Sequence, residues 1–511
     1  MISKRITIGF LLLLSSQLGV RLGVAKAQVA PPLTGKQLAA SKNICPGGLG
    51  VGIEGVTNRP QFSRGRWGIL IQTLSRARTL YSRDAQKYFV PASNLKLLTT
   101  AAALQQLGSQ FRIRTSVYDI GDGSLGVVGR GDPSFTDAQL RELAQQLSRR
   151  GIRQVNQLIA EDNYFRGSVV NPSWEWEDVQ ADYGAPVNSL ILNQNAVSLT
   201  LLPQALGQPL RVSWADPTEA TQWQIENDSV TAQPANAPSV NVSRDLRGAV
   251  LKVTGQLGVN SEPESVALAV LDPVGKFLRH FRSALAAEGI KQNADGRRYT
   301  QISKLISVHR SASAFPELAA VESPPLSQLL VETNQNSNNL YAEAWLRSLG
   351  AREMGSRVGG LDLSAPTDST AEVGLRVVKA TLTELGVDPA GYVMVDGSGL
   401  SRNNLVSPEA IAQTLRAMAK SRQAAVYRAS LPVAGISGTL QNRFRDTAAQ
   451  GIVQAKTGTM SGVVALSGYI DATEYEPLVF SIIVNQSDQP AVTIRQAIDE
   501  IVLLLTRLHR C

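Results

Sequence analysis

The order of apolar and polar positions predicts strands at both ends of the chain. Arg66 to Tyr81 alternates apolar and polar residues, which predicts two strands that turn on each other. Residues 451–470 and 477–487 are apolar runs bounded by turn residues, as in buried strands. The last apolar segment, Ala497 to Arg510, has helical spacing. It predicts a core helix packed on a sheet, with a helix on a membrane surface as the alternative.

Helical patterns fill most of the space between these strands. Ser93 to Leu107 is rich in Ala and Leu and is stopped by Gly108, which predicts a buried helix. Further helices are predicted within residues 326–350, 371–386 and 407–421. We therefore expect an α/β (α+β) fold, with one antiparallel sheet assembled from both ends of the chain and flanked by helices.

The middle of the chain has a different pattern. From Phe111 onward, short strands alternate with Gly and Asp turns, and the polar stretch Pro203 to Pro238 predicts only short strands and loops. This pattern predicts a large, mainly β insert of residues 104–304, in one or two nested bodies. Residues 28–103 and 305–511 would form the other domain.

The N-terminus has the pattern of a cleaved export signal. Lys4 and Arg5 precede an apolar stretch, and Ala25-Lys26-Ala27 is a small-x-small cleavage site. A membrane anchor is the alternative, but the apolar run is interrupted at Arg21, short of the roughly 20 residues that span a bilayer. We expect residues 1–27 to be a signal peptide, with residues 28–50 a Pro/Gly leader that is partly helical near 36–42, and a periplasmic location.

Composition narrows the classes of function. Cleavage would lower the formal net charge from +8 to +4, which does not suggest a nucleic-acid partner. The two cysteines, Cys45 and Cys511, would meet an oxidising compartment, so a disulfide between the chain ends is possible, and two unpaired thiols are the alternative. Two cysteines and three histidines without a zinc motif predict no metal site, and we expect no cofactor.

The chemistry begins at Ser93 and Lys96, the only Ser-x-x-Lys in the chain. On a helix these residues lie on one face, about one turn apart. A serine at a helix N-terminus has free N–H groups beside it. A lysine in an apolar setting can lose its proton near neutral pH and act as a base. Alone, such a pair is more often structural.

Two further motifs could complete a site. Ser337 and Asn339 lie two residues apart between helices, where they could relay a proton and hold an amide, although Ser337 or Asn338 could simply cap the next helix. Lys456 and Thr457 precede Gly458 within a predicted strand. Glycine in a strand often marks close approach of a ligand or another backbone.

Together, these motifs resemble the Ser-x-x-Lys, Ser-x-Asn and Lys-Thr-Gly set of penicillin-binding proteins and serine β-lactamases. The long interval between Ser93 and Ser337 resembles the D-alanyl-D-alanine carboxypeptidase/endopeptidase family S13, the class C low-molecular-mass penicillin-binding proteins. The strings GRGDPSF (129–135), NLYAE (339–343), DGSGLSRNN (396–404) and KTGTMSG (456–462) are also similar to that family.

The resemblance implies roles for individual residues. Ser93 would be the nucleophile, Lys96 its base, and Ser337 a proton relay. Substrate would contact Asn339, Lys456, Thr457, Gly458 and Thr459, and its side chain would lie near Leu400, Arg402, Met460 and Ser461. The N–H groups of Ser93 and Thr459 would form the oxyanion hole. The expected substrates are peptidoglycan stem peptides ending in D-Ala-D-Ala, and β-lactams would acylate Ser93.

Two other functions remain open on the sequence. A β-lactamase-like hydrolase uses the same three motifs, although the long insert argues against it. A peptidoglycan-binding module with slow turnover is the second alternative. The intact set of Ser93, Lys96, Ser337 and Lys456 favours the enzyme. The balance of carboxypeptidase and endopeptidase activity stays undecided at this stage. A tight turn explains Asp132, in GRGDPSF, as well as a functional role does.

Overall fold

The structure is a computed structural model that describes residues 43–233, 239–245, 248–293, 315–357 and 368–511. The predicted signal peptide (1–27) and the predicted leader helix (36–42) lie outside the described residues. Within them, no helix combines the length and the apolar composition needed to cross a membrane.

Strands are numbered in chain order. They are β1 Arg66–Thr73, β2 Thr79–Arg83, β3 Arg114–Asp119, β4 Ser124–Val128, β5 Gln154–Val155, β6 Gln157–Glu161, β7 Ala196–Leu202, β8 Arg211–Trp214, β9 Gln224–Asn227, β10 Val230–Ala232, β11 Ser239–Arg244, β12 Val250–Gly258, β13 Glu264–Ala269, β14 Lys291–Gln292, β15 Glu317–Glu322, β16 Tyr392–Val393, β17 Leu405–Val406, β18 Val453–Met460, β19 Val463–Ile470 and β20 Leu478–Asn485.

The α-helices are numbered in the same way. They are α1 Pro46–Thr57, α2 Lys96–Leu107, α3 Asp137–Arg149, α4 Pro273–Ala287, α5 Leu326–Gln335, α6 Asn339–Arg357, α7 Thr370–Glu384, α8 Pro408–Lys420, α9 Ala424–Ala429 and α10 Ala491–Leu505. Short 3-10 helices include Ala92–Leu95, Asp178–Gln180, Asp182–Gly184 and Gly438–Leu440.

One antiparallel sheet joins the two ends of the chain, in the order β18-β19-β20-β1-β2. All eight residues of β20 are buried because both faces of the sheet are covered. Val479 and Ile483 face the core that contains α2, whereas Phe480 and Ile482 face the core that contains α1 and α10. The predicted fold class and the predicted core position of the last helix are confirmed.

Helix α1 was not predicted, since residues 28–50 were expected to form a Pro/Gly leader with helix only near 36–42. Its glycines weaken the helical signal. The helix nevertheless forms because Leu49, Ile53 and Val56 lie on one face and are buried in the core that contains α10. Cys45, just before α1, is disulfide-bonded to Cys511, with the Cα atoms 5.8 Å apart.

The residues between α2 and α5 contain two hydrophobic cores. The first lies among α3, α4 and the sheet β15-β3-β4-β6. The second lies among strands β7, β12 and β13, whose residues fall within the sequence limits of the first. This arrangement supports the proposal of two nested bodies.

The structure suggests different limits for the proposed insert. Position 103 lies inside α2, which continues to Leu107, and position 304 lies outside the described residues. Strand β15 pairs with β3 of the insert sheet, from Glu317 opposite Tyr118 to Glu322 opposite Arg114. We therefore propose that the insert runs from about Gly108 to Ser323.

A charged cluster links the two bodies of the insert. His280 on α4 bonds Asp137 at the start of α3 through Nδ1 (2.7 Å). Its Nε2 lies 3.3 Å from Asp216 and 3.2 Å from Glu219, both after β8. The bonds to Asp137 and then Glu219 raise the pKa of His280 to about 9.

We expect the His280→Gln variant to be less stable than the wild type at pH 6, by about 1–2 kcal/mol, because a charged hydrogen bond is lost at a partly exposed site. The folded-state pKa lies above the ordinary 6.5, so this stabilisation is complete below pH 6.5 and disappears as pH rises through 9. Thermal unfolding of both proteins at pH 6 and 9.5 tests this. An equal stability difference at both pH values would contradict it.

Candidate active site

Ser93 lies on the 3-10 turn that leads into α2 and is half-buried. The five-stranded sheet β18-β19-β20-β1-β2 fixes this turn through buried side-chain amides. Asn485 on β20 bonds both backbone groups of Val90, at 2.7 and 3.0 Å. Asn94 donates to the hydroxyl of Ser467 on β19 at 2.8 Å. The serine is thus presented on a rigid support, with its position set before any substrate arrives.

Lys96, the first residue of α2, is fully buried and contacts Ser93. Its Nζ lies 2.9 Å from Ser93 Oγ, 2.6 Å from Asn339 Oδ1 and 2.8 Å from the carbonyl oxygen of Ser398. A neutral amine has two N–H donors and one lone pair. It can therefore donate to Asn339 and Ser398 while accepting the hydroxyl proton of Ser93.

Burial makes the neutral amine of Lys96 accessible near physiological pH. Desolvation lowers its pKa to about 7, although the carboxylates of Asp396 and Glu343 act in the opposite direction. A base with a pKa near the working pH is the most effective proton acceptor.

A second serine–lysine pair lies beside the first. Lys456 on β18 is fully buried and its Nζ donates to Ser337 Oγ at 2.8 Å and to the Thr457 carbonyl at 3.0 Å. Burial, and then the neighbouring Lys96, holds its pKa well below the ordinary value. Ser337 lies between α5 and α6 with φ +61°, a conformation that residues other than glycine adopt rarely.

Gly458 allows strand β18 to pack on the nucleophile turn. A Cβ at this position would lie 2.8 Å from the carbonyl oxygen of Pro91. The sequence left open whether this glycine marks a ligand or another backbone, and the structure places backbone there. On either side, Thr459 is exposed, and the hydroxyl of Thr457 bonds that of Thr439 at 2.7 Å.

The residues expected near the substrate side chain border the same region. Arg402 donates to the carbonyl of Ser461 at 3.0 Å and pairs with Glu175 of the insert at 3.0 Å. Ser461 is exposed, and Leu400 is buried beneath the surface. Arg402 therefore connects the 396–404 loop, the turn after β18 and the insert.

The insert supplies contacts that the sequence did not predict. Tyr183 accepts a bond from Asn339 Nδ2 at its carbonyl oxygen (2.9 Å), and Trp174 donates to Asp396 at 3.0 Å. These pairs are separated by 156 and 222 residues, so no local pattern could have indicated them. Thr439 is a further neighbour that was missed.

Two other residues of the sequence motifs, Asp132 and Asn338, make local structural hydrogen bonds. Asp132 is buried and bonds the backbone and hydroxyl of Ser134, which supports its interpretation as a turn residue. Asn338 accepts a bond from the Tyr341 N–H, as a residue that caps α6.

The fold and the paired Ser–Lys sites define a serine acyl-transfer enzyme of the penicillin-binding type. A family model described as the D-Ala-D-Ala carboxypeptidase 3 (S13) family matches residues 51–505. The chain therefore belongs to this family, and its enzyme class is that of a serine-type D-Ala-D-Ala carboxypeptidase, as the sequence motifs predicted.

Named relatives agree over most of the chain. It is 33% identical over 458 residues to the D-alanyl-D-alanine carboxypeptidase of Actinomadura sp. (strain R39), covering 86% of this chain and 81% of that protein. It is 31% identical over 486 residues to penicillin-sensitive carboxypeptidase A of Dictyostelium discoideum, covering 86% and 87%. The crystal structure of penicillin-binding protein 4 from Haemophilus influenzae has a TM-score of 0.72 at 21% identity, covering 89% and 98%, and supports the fold.

Proposed function

We propose that the enzyme removes the terminal D-Ala from peptidoglycan stem peptides through an acyl ester on Ser93. The observation that carries this proposal is the set of three contacts around Lys96, which orients a buried amine toward the Ser93 hydroxyl. The neighbouring pair of Ser337 and Lys456 then offers a hydroxyl through which that proton can reach the leaving group.

The reaction would proceed in two steps. Ser93 Oγ forms a bond to the carbonyl carbon of the penultimate D-Ala while its proton moves to Lys96. The C–N bond then breaks, and the proton that Lys96 accepted passes through Ser337, next to Lys456, to the leaving amine, which returns Lys96 to its neutral form. Water then attacks the ester while Lys96 accepts a proton from that water, and Ser93 Oγ takes this proton as the peptide acid leaves. The N–H groups of Ser93 and Thr459 would stabilise the oxyanion.

Substrate binding would use the edge of β18 and the residues around it. The Thr457 hydroxyl, supported by Thr439, would hold the terminal carboxylate beside Lys456. Gly458 would lie beneath the bound substrate peptide, where the absence of a side chain lets β18 pack on the nucleophile turn. Asn339 would hold the peptide amide.

The substrate side chain would lie near a second group of residues. They are Leu400 and Arg402 on the 396–404 loop, Met460 at the end of β18 and Ser461 in the turn that follows it.

The cellular context follows from this chemistry. Stem peptides lie outside the inner membrane, so we propose a periplasmic enzyme that has no nucleic-acid partner and needs no cofactor. β-Lactams would bind as mimics of D-Ala-D-Ala and acylate Ser93.

A cross-linked stem peptide offers a similar bond, so endopeptidase activity is a second candidate. The insert borders the site, because Arg402 pairs with Glu175 of the insert at 3.0 Å.

The proposal predicts release of free D-Ala from a stem pentapeptide. A matched pentapeptide with a C-terminal carboxamide should react at about one tenth of that rate or below, because it loses a charge-assisted contact near Thr457. Mass spectrometry of both products, with a cross-linked dimer as a third substrate, measures carboxypeptidase and endopeptidase activity together.

Equal rates on the acid and the amide would contradict carboxylate recognition. Cleavage of the dimer alone would assign the enzyme as an endopeptidase. Rapid clearance of a bound β-lactam without D-Ala release would favour the β-lactamase-like alternative, and folded protein inactive on all substrates would favour a binding module.

A further inference from the structure

One buried carboxylate near the site has no role in the steps above. Glu343 lies on α6, one turn after Asn339, and only 2% of its surface is exposed. Its Oε1 accepts hydrogen bonds from the backbone N–H groups of Gly397 and Ser398, both at 2.8 Å. Burying a carboxylate is costly unless it is paired and hydrogen-bonded, so its presence here calls for a reason.

The turn that Glu343 holds is the one that contacts Lys96. The carbonyl of Ser398 accepts from Lys96 Nζ at 2.8 Å, and that of Gly397 accepts from Thr99 on α2 at 2.7 Å. One peptide segment therefore lies between the catalytic helix and Glu343. A displacement of the carboxylate would move the Ser398 carbonyl away from the lysine.

A second close contact joins the same turn to the backbone next to the nucleophile. Gly399 has φ +84°, and a Cβ there would lie 2.0 Å from the carbonyl oxygen of Ala92, next to the nucleophile. The loop thus contacts the residue before Ser93 as well as Lys96. Asp396 holds the loop from within by accepting from the N–H groups of Gly399 and Ser401.

The charges around Lys96 come from three elements. Glu343 and Arg347 lie on α6, Asp396 lies on the 396–404 loop, and Lys456 lies on β18. The two carboxylates favour the ammonium form of Lys96, and Lys96 in turn lowers the pKa of Lys456. Burial, and then Asp396, raises the pKa of Glu343 above its ordinary value, while Arg347 acts in the opposite direction.

We propose that Glu343 is a positioning residue for the catalytic lysine, which fixes the Ser398 carbonyl against Lys96 and, in its ionised form, favours the ammonium form of that lysine. The inference rests on the proposed role of Lys96 as base. Helix α6 then serves the lysine twice, directly through Asn339 and indirectly through Glu343.

The Glu343→Gln variant separates charge from geometry. Glutamine keeps an oxygen that can accept from both N–H groups but carries no charge. We expect the acidic limb of the β-lactam acylation rate to move to lower pH by about half a unit. This shift corresponds to about a threefold higher fraction of free base below the limb. The control is Glu384→Gln, which removes an exposed carboxylate at the end of α7.

The Glu343→Asp variant tests geometry alone, because it keeps the charge but shortens the reach to the turn. Its limb should stay near that of the wild type while its plateau rate falls severalfold. It also gives an independent test if the glutamine variant does not fold. Profiles of both folded variants that coincide with the Glu384→Gln control would overturn the inference. A wild-type protein that β-lactam does not acylate at Ser93 would instead overturn the proposed function.

Discussion

Replacement of Ser93 by alanine is expected to lower the rate of D-Ala release by about 10⁴-fold or more and to abolish covalent labelling by penicillin. Removal of a nucleophile eliminates the covalent route, and the residual rate reflects only what binding and oxyanion contacts achieve. The measurement is D-Ala release from a stem pentapeptide, with fluorescent-penicillin labelling in parallel.

The structure indicates that this variant will fold. Ser93 is half-buried at the head of α2, and the buried contacts of its turn come from Val90 and Asn94. Ser82→Ala, at an exposed position on β2, is the matched control and should be fully active. A folded Ser93→Ala protein that still forms a stable penicillin adduct would contradict the assignment of the nucleophile.

Replacement of Lys96 by methionine should have the second largest effect, a loss of about 10²- to 10⁴-fold in the acylation rate. Methionine fills much of the same space but cannot accept the Ser93 proton. The wild-type rate should rise with pH up to about 7 and then level, because the free base is the deprotonated form and burial lowers the pKa of Lys96 to about 7. Stopped-flow acylation across pH 5–9 measures both effects.

Two further variants make this prediction specific. Lys96→Arg keeps a positive charge that cannot be removed at any working pH, so it should also be inactive if the lysine acts as a base. Lys87→Met changes an exposed lysine in the segment before the nucleophile turn and serves as the control. An active arginine variant, or a wild-type rate that does not change between pH 5 and 8, would show that Lys96 contributes charge and not basicity.

The parts of the fold that could be predicted are those with a local signal. The buried helix from Ser93 to Leu107 was visible from its Ala/Leu composition and terminal glycine, and β18 to β20 were visible as apolar runs. Helix α1 was missed because its glycines mask a pattern whose stability comes from contact with α10. The predicted start of the insert, residue 104, falls inside α2, which continues to Leu107.

The candidate site divides in a similar way. Ser93, Lys96, Ser337, Asn339 and Lys456 stand in short motifs, and the structure brings their side chains together. The residues that support them come from distant segments.

These supporting residues lacked a sequence signal for a physical reason. Tyr183 acts through its backbone carbonyl, which no side-chain pattern reveals. Glu343 lies within the quoted string NLYAE, but its partners are backbone N–H groups 54 and 55 residues away. Sequence motifs thus identified the reacting groups but not the contacts that set their positions.

The central claim is that Ser93 carries the acyl group, and peptide mapping of the penicillin adduct tests it most directly. Trypsin cuts after Lys and Arg, so Ser93 lies in the peptide YFVPASNLK (88–96), in which it is the only serine. Ser337 lies in a separate peptide, residues 311–347. The account predicts the added mass on residues 88–96, with fragment ions that place it on Ser93. An adduct on residues 311–347, or none on folded protein, would contradict it.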